Sequence, residues 1–394
     1  MPEPIDPLLE ISASLADIDE AGLRRRRRVV TTPCAPVAGL ADRPDPVIAF
    51  CSNDYLGLAA EPSLAEAASQ GAQRWGVGSG ASHLVSGHYA VHDELETRLA
   101  RFVGMDDALY FSTGYMANIG VMPALVGRGD AIFADKVNHA SLVDGALLSR
   151  AEFIRYPHCD LAALAARLEA STAPRKLIVT DSVFSMDGDL APLPELLALA
   201  EAHKAWLLVD DAHGFGVLGP QGRGSLAHFG LSSPRLIHMG TLGKAAGVSG
   251  AFVAGQRDVI EWLVSKSRSY IFTTGAPPLI AHTLLSALDL IEQGDTRRAH
   301  LNTLIARFKA GLRLSRWQLL PSDTPIQPVV IGDNHETLAV SRALDAEGIW
   351  VPAIRPPTVP KGAARLRVTL SAAHSFEQVD RLVAALNRLE AAPT

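Results

Sequence analysis

The segment Met239-Gly-Thr-Leu-Gly-Lys244-Ala-Ala-Gly-Val-Ser-Gly250 sets a lone lysine among small residues, directly after the apolar run Arg235–Met239. A lysine at the end of a strand is partly desolvated, which lowers its pKa and frees the amine to act as a nucleophile. Taken alone, Gly243-Lys244 fits a solvated loop better. A Walker A loop is excluded by spacing, because no glycine stands five residues before Gly243 and Ala245 replaces the required Ser or Thr.

Other residues change the weight of that lysine. Amines condense with aldehydes, and pyridoxal phosphate is the cofactor that exploits this with lysine. Its ring nitrogen needs a carboxylate partner, and Asp210 follows the apolar run Trp206–Val209, where a low dielectric strengthens an ion pair. The plainer role for Asp210 is a helix N-cap. His213 can donate to the ring's phenolic oxygen and His139 can stack on its face, but a lone histidine is more often structural, and the residues alone assign neither role. The phosphate needs hydroxyls and free backbone N–H groups at a helix start, which Gly114, Tyr115, Ser185 and Thr241 offer.

The elements that must position these residues are legible as apolar runs. Ala108–Phe111, Ala131–Ala134, Phe153–Tyr156, Leu177–Thr180, Trp206–Val209 and Leu236–Met239 alternate with helical patterns, and Ala251–Ala254 is a further candidate strand. That alternation predicts an α/β fold with a mainly parallel central sheet. Parallel sheets bind ligands beyond the carboxyl ends of their strands. The clusters 112–115, 135–139, 181–182, 210–213 and 240–244 all fall there, so they describe one site. The spacing predicts a helix over 8–30 ending in the run Arg24–Arg28. It leaves 76–88 too glycine-rich for regular structure, and the G-x-G in it follows a helix rather than the strand a dinucleotide fingerprint needs. A smaller α+β domain is expected to close the chain, with boundaries at 1–50 for an N-terminal helix and arm, 51–285 for the large domain and 286–394 for the small one.

Composition narrows the classes. The 394 residues carry 36 basic and 42 acidic side chains, so no global positive charge points to nucleic acid. Cys34, Cys51 and Cys159 form no CxxC pair, which argues against zinc and disulfides and for a reducing compartment. No signal pattern or spanning apolar stretch is present, so a cytoplasmic protein off the membrane is expected, with no metal.

The chain resembles the α-oxoamine synthase family of pyridoxal-phosphate enzymes, which have fold type I architecture. The motifs are Ser52-Asn-Asp-Tyr-Leu-Gly57, Gly76-Val-Gly-Ser-Gly80, Asn138-His-Ala-Ser141, Val183-Phe-Ser-Met-Asp-Gly-Asp189, Val209-Asp-Asp-Ala-His-Gly214, Gly222-Arg-Gly-Ser225 and Leu242-Gly-Lys244. They span nearly the whole chain. The resemblance implies that Lys244 carries the cofactor covalently, that Asp210 faces its ring nitrogen and that His139 stacks, with Gly114, Tyr115, Ser185, His213 and Thr241 completing its contacts. It implies that Arg367 holds an amino-acid carboxylate and that Arg24, Asn53, His139, Arg355 and Thr358 contact substrate. The stretch Ala353-Ile-Arg-Pro-Pro-Thr-Val-Pro360 points to the branch that condenses L-alanine with a pimeloyl thioester, carried on coenzyme A or an acyl carrier protein, in biotin biosynthesis. The alternative is a sister enzyme using glycine or serine with another acyl thioester. The resemblance also implies a homodimer with shared sites, Thr273-Thr274 reaching the partner's phosphate.

Overall fold

The structure, a computed structural model, describes residues 6–20, 23–25 and 27–391. Strands are β1 (Val37–Ala38), β2 (Val47–Ala49), β3 (Asp107–Phe111), β4 (Ala131–Asp135), β5 (Glu152–Tyr156), β6 (Lys176–Asp181), β7 (Trp206–Asp210), β8 (Leu236–Thr241) and β9 (Ala251–Gly255). The small C-terminal strands are β10 (Gln318–Leu319), β11 (Ile326–Gly332), β12 (Ile349–Trp350), β13 (Ala353–Ile354) and β14 (Ala364–Thr369).

Seven strands form the central sheet, in the order β3-β9-β8-β7-β6-β4-β5. All run parallel except β9, which is antiparallel to both β3 and β8. The inner strands read as unbroken apolar runs because both faces are covered. In β6, Leu177 and Val179 enter one apolar cluster and Ile178 the other. Register then aligns the carboxyl ends, Asp181 opposite Asp210 and Asp210 opposite Met239.

A four-stranded antiparallel sheet, β10-β11-β14-β13, lies in the C-terminal part. Alternation along β14 puts Arg365 and Arg367 on one face, and both reach the 183–189 loop. The arm is stitched to this region, since β2 pairs in parallel with β12. Strands β1, β10 and β13 were not expected. They are two residues long, too short to show alternation.

Two expectations are corrected. The first helix, α1, covers Pro7–Glu20 and stops well short of 30. Residues 23–25 and 27–29 are not helical, while Ala21, Gly22 and Arg26 lie outside the described residues. Its apolar side chains Leu8, Leu9 and Ile11 are exposed, so no packing extends the helix into the arginine run. The glycine-rich segment is not wholly irregular either, because His83–Gly87 forms one turn of π-helix. Next to it, α2 (Pro62–Trp75) and α3 (Ala90–Val103) flank the turn.

His83, His88 and His92 cluster there, their ring nitrogens close enough to suggest a metal. Hydrogen bonds account for them instead. His92 Nδ1 accepts from the Tyr89 N–H at 3.0 Å and its Nε2 donates to the Ala276 carbonyl at 2.9 Å, while His83 and His88 pair through Nδ1 at 3.0 Å. Burial pushes His83 and His92 down to about 4. The unfolded chain therefore binds protons that the native one refuses between about pH 6.5 and 4, and stability falls as pH drops through that window. The thermal midpoint is expected to fall accordingly. His92→Gln should flatten the slope by up to about 1.4 kcal/mol per pH unit, and an unchanged slope counts against this account. No helix among the described residues is long and apolar enough to cross a membrane.

Candidate active site

A cavity of about 180 Å³ opens at the carboxyl edge of the central sheet, lined by Gly114, Tyr115, His139, Asp210, His213, Thr241 and Lys244, among others. Each arrives at the end of a parallel strand or the turn after it. Beyond β3, α4 (Gly114–Leu125) begins with Thr113 as N-cap, its hydroxyl accepting from the Met116 N–H at 3.1 Å. The N–H groups of Gly114 and Tyr115 then project from a helix start, where an anion is stabilised. Beyond β4, His139 caps α5 (Ala140–Ser149).

Asp210 is buried at the end of β7. One carboxylate oxygen accepts from the Ala212 N–H at 3.0 Å, so the capping role is partly real, and the other accepts from Asn118 Nδ2 at 2.7 Å. Asn118 also donates to Ser141 Oγ at 2.9 Å, and that hydroxyl lies 2.8 Å from His139 Nδ1. Because His139 Nδ1 already accepts from the Ser141 N–H at 3.2 Å, it carries no proton, and the Ser141 hydroxyl donates to it. One chain of hydrogen bonds thus fixes the carboxylate and the imidazole together. Sequence reasoning missed Asn118 and Ser141, although Ser141 sat in a quoted motif.

Lys244 Nζ lies 2.9 Å from His213 Nε2. Burial lowers its amine to about 8, against the opposing pull of Asp210 and Asp181. Burial also holds His213 well below the usual imidazole range, with Lys244 adding to the effect. Asp210 is raised by burial, with Lys244 opposing, and Asp181 is raised well above the carboxylate range by burial and by Asp210. Asp181 accepts from the His139 N–H at 2.7 Å and so anchors that loop. The neighbouring Asp211 is structural, bound by Ser182, Ser225 and His238.

Asn53 and Arg367 join the site at one remove. Tyr55 Oη lies 2.5 Å from His213 Nδ1 and 3.2 Å from Asn53 Oδ1, and Asn53 Oδ1 accepts from Arg367 Nη1 at 3.2 Å. Arg367 Nε donates to the Ser185 carbonyl at 2.6 Å, so Ser185 meets the site through its backbone. His158, also unexpected, steadies that loop: its ring bridges Asp135 at 3.1 Å and Asp189 at 2.9 Å. Although burial opposes it, the two carboxylates drive His158 up to about 12. Arg24, Arg355 and Thr358 do not line the cavity. Arg24 pairs with Asp19 at 2.9 Å beside α1, and Thr358 is exposed in a turn closed by the Arg355 carbonyl.

The donor set fits pyridoxal phosphate: an amine of lowered pKa, a buried carboxylate, an oriented imidazole and a helix start for the phosphate. Residues 45–386 match the family described as aminotransferase class I and II. An 8-amino-7-oxononanoate synthase of Aromatoleum aromaticum is 69% identical over 97% of this chain and 98% of its own length. One from Herminiimonas arsenicoxydans is 63% identical over 95% and 98%. The chain belongs to the 8-amino-7-oxononanoate synthase family. It is accordingly a pyridoxal-phosphate-dependent acyltransferase of fold type I, from a family of biotin biosynthesis.

Solved structures agree on the fold. A serine palmitoyltransferase of Sphingomonas wittichii superposes with TM-score 0.92 at 32% identity, covering 98% of both chains. An 8-amino-7-oxononanoate synthase of Francisella tularensis gives 0.75 at 31%, covering 87% of this chain and 97% of its own. Shape thus does not separate these two branches of the fold. The identity to the curated synthases does.

Proposed function

We propose that the enzyme condenses L-alanine with a pimeloyl thioester, releasing carbon dioxide and the free thiol carrier. The chemistry of the family's name supports this reading. 8-Amino-7-oxononanoate has its amine on C8, a methyl at C9, a ketone at C7 and a carboxylate at C1. Those are the α-carbon, methyl and nitrogen of alanine without its carboxylate, joined to a seven-carbon dicarboxylic acyl group. The observation that carries the proposal is the cavity that groups Lys244, Asp210 and His139, joined through His213 to Arg367.

When bound, the cofactor supplies an electron sink for the bonds broken at the amino acid's α-carbon. Asp210 would keep its ring nitrogen protonated, His139 would cover its face, and Gly114, Tyr115 and Thr241 would hold the phosphate. Lys244 would anchor the cofactor and, once displaced by alanine, take the α-proton and later return one. An amine titrating near 8 suits both roles. Arg367 and Asn53 would orient the alanine carboxylate, which leaves as carbon dioxide after the new carbon–carbon bond forms and the thiol departs. Arg24, Arg355 and Thr358 would meet the acyl chain's far carboxylate. Because they stand apart from the cavity here, this last assignment needs the acyl chain to extend out to them.

A homodimer would cover apolar side chains that the single chain leaves exposed. Val77, Val85 and Phe272 are highly exposed, and Phe272 precedes Thr273-Thr274, which would then reach the partner's phosphate. We place the protein in the cytoplasm, where its three free cysteines suit a reducing compartment. The test is carbon dioxide release across a panel of amino acids and acyl thioesters, on both coenzyme A and acyl carrier protein. L-Alanine with the pimeloyl thioester should exceed every other pair. Preference for glycine or serine, or for a monocarboxylic acyl chain, sinks the proposal.

A further inference from the structure

We propose that Tyr55 is a positioning residue: its hydroxyl donates to Nδ1 of His213, so that Nε2 carries the imidazole proton and points it at Lys244. The inference rests on the proposed roles of Lys244 and His213 and adds the group that sets His213's tautomer.

Tyr55 is fully buried and seated without freedom. The Asp54 carboxylate accepts from the N–H groups of Leu58 at 2.8 Å and Ala59 at 3.0 Å, closing the 54–59 turn. The Ala372 N–H binds the Tyr55 carbonyl at 2.8 Å, and Ser371 Oγ binds the Asp54 carbonyl at 2.6 Å. The phenol is therefore aimed by the backbone on both sides.

A hydroxyl has one proton and two acceptors within reach here. His213 Nδ1 lies at 2.5 Å and Asn53 Oδ1 at 3.2 Å. The shorter contact is the stronger hydrogen bond. Asn53 Oδ1 does not need the proton, because the Arg367 guanidinium already donates to it at 3.2 Å. Burial pushes the phenol up to about 12, so the hydroxyl stays a donor at any working pH. His213 is held neutral by burial and carries one ring proton. With Nδ1 accepting, that proton sits on Nε2, 2.9 Å from Lys244 Nζ. There it can donate to the Lys244 amine once that amine is neutral, above about pH 8, since an ammonium has no lone pair to accept it. In the loaded enzyme it can donate to the cofactor's phenolic oxygen. A tautomer fixed by the hydrogen bond on the other ring nitrogen is the general device by which a histidine is oriented.

The experiment is nitrogen NMR on full-length protein labelled at histidine, with wild type, Tyr55→Phe and Asn53→Ala compared. Wild type, measured loaded with cofactor or above about pH 8 where the Lys244 amine is neutral, should show His213 protonated at Nε2. Tyr55→Phe should show a mixture of tautomers, and Asn53→Ala should keep the wild-type tautomer while weakening L-alanine binding. A second readout is the pH of the visible absorption change of the cofactor-loaded protein, expected to rise by about one pH unit in Tyr55→Phe as the donor to the phenolic oxygen is weakened. A purely structural role for Tyr55 would lower the thermal midpoint and leave both readouts where they were. Wild-type His213 protonated at Nδ1, or an unchanged tautomer in Tyr55→Phe, overturns the proposal. Should Tyr55→Phe not fold, the wild-type and Asn53→Ala spectra still decide it. A wild-type protein that takes up no pyridoxal phosphate overturns the functional reading instead, and leaves the tautomer measurement standing.

Discussion

Lys244→Ala is expected to abolish carbon dioxide release, by about 10⁴-fold or more, while the protein still binds pyridoxal phosphate. The size follows from two losses at once. A positioned proton-transfer group contributes about 10²–10⁴-fold, and the proposed covalent anchor for the cofactor disappears with it. The other groups proposed to hold the cofactor, Asp210, His139 and the start of α4, are fixed by bonds that do not involve the amine, so the cofactor should be retained without a covalent link. Borohydride should fix the cofactor on wild-type protein at Lys244 and leave the variant unlabelled after denaturation. Labelling of another lysine, or turnover within tenfold of wild type, would remove Lys244 from the chemistry. The amine's titration near 8 adds a pH signature. In cofactor-free wild-type protein, modification of Lys244 by an amine reagent should rise through pH 8, well below an ordinary lysine.

Asp210→Asn carries the second large effect, about 10³-fold in kcat/KM, equivalent to roughly 4 kcal/mol of transition-state stabilisation. The substitution keeps the shape and an oxygen for the Ala212 N–H. It removes the charge proposed to hold the ring proton, in a buried site where charges act most strongly. The loss should fall on kcat more than on KM, because the charge matters when the α-carbon bond breaks rather than when alanine binds. A coupled shift distinguishes this from a packing defect. Asp210 is the leading charge that holds the Lys244 amine up against burial, so the variant's lysine should titrate below about 8. Asp181, raised in part by Asp210, should ionise more readily. If activity falls but the lysine titration stays put, Asp210 acts through structure alone.

The chemistry-bearing residues were legible because a parallel sheet converts sequence order into spatial order. Apolar runs buried on both faces announce the strands, and whatever follows each run lies at the same edge. That rule grouped Gly114, His139, Asp210, Thr241 and Lys244 before any contact was known, and the cavity is lined by those residues. It also anticipated β9 as a strand, though not its antiparallel direction.

What periodicity could not carry are the contacts between segments far apart in the chain. Asn118 reaches Asp210 across 92 residues, Tyr55 reaches His213 across 158, and Arg367 reaches Ser185 across 182. Each depends on strand register and on which helix start faces which strand end, and no local pattern encodes either. The same holds for β2 beside β12 and for the end of α1, where the missing partner surface, not the apolar spacing, decides how far the helix runs. The amino-acid sequence by itself determined which groups could do chemistry and along which edge they stand. The tertiary structure decided their hydrogen-bond partners, and through burial, against the pull of Asp210 and Asp181, brought the Lys244 amine down to about 8.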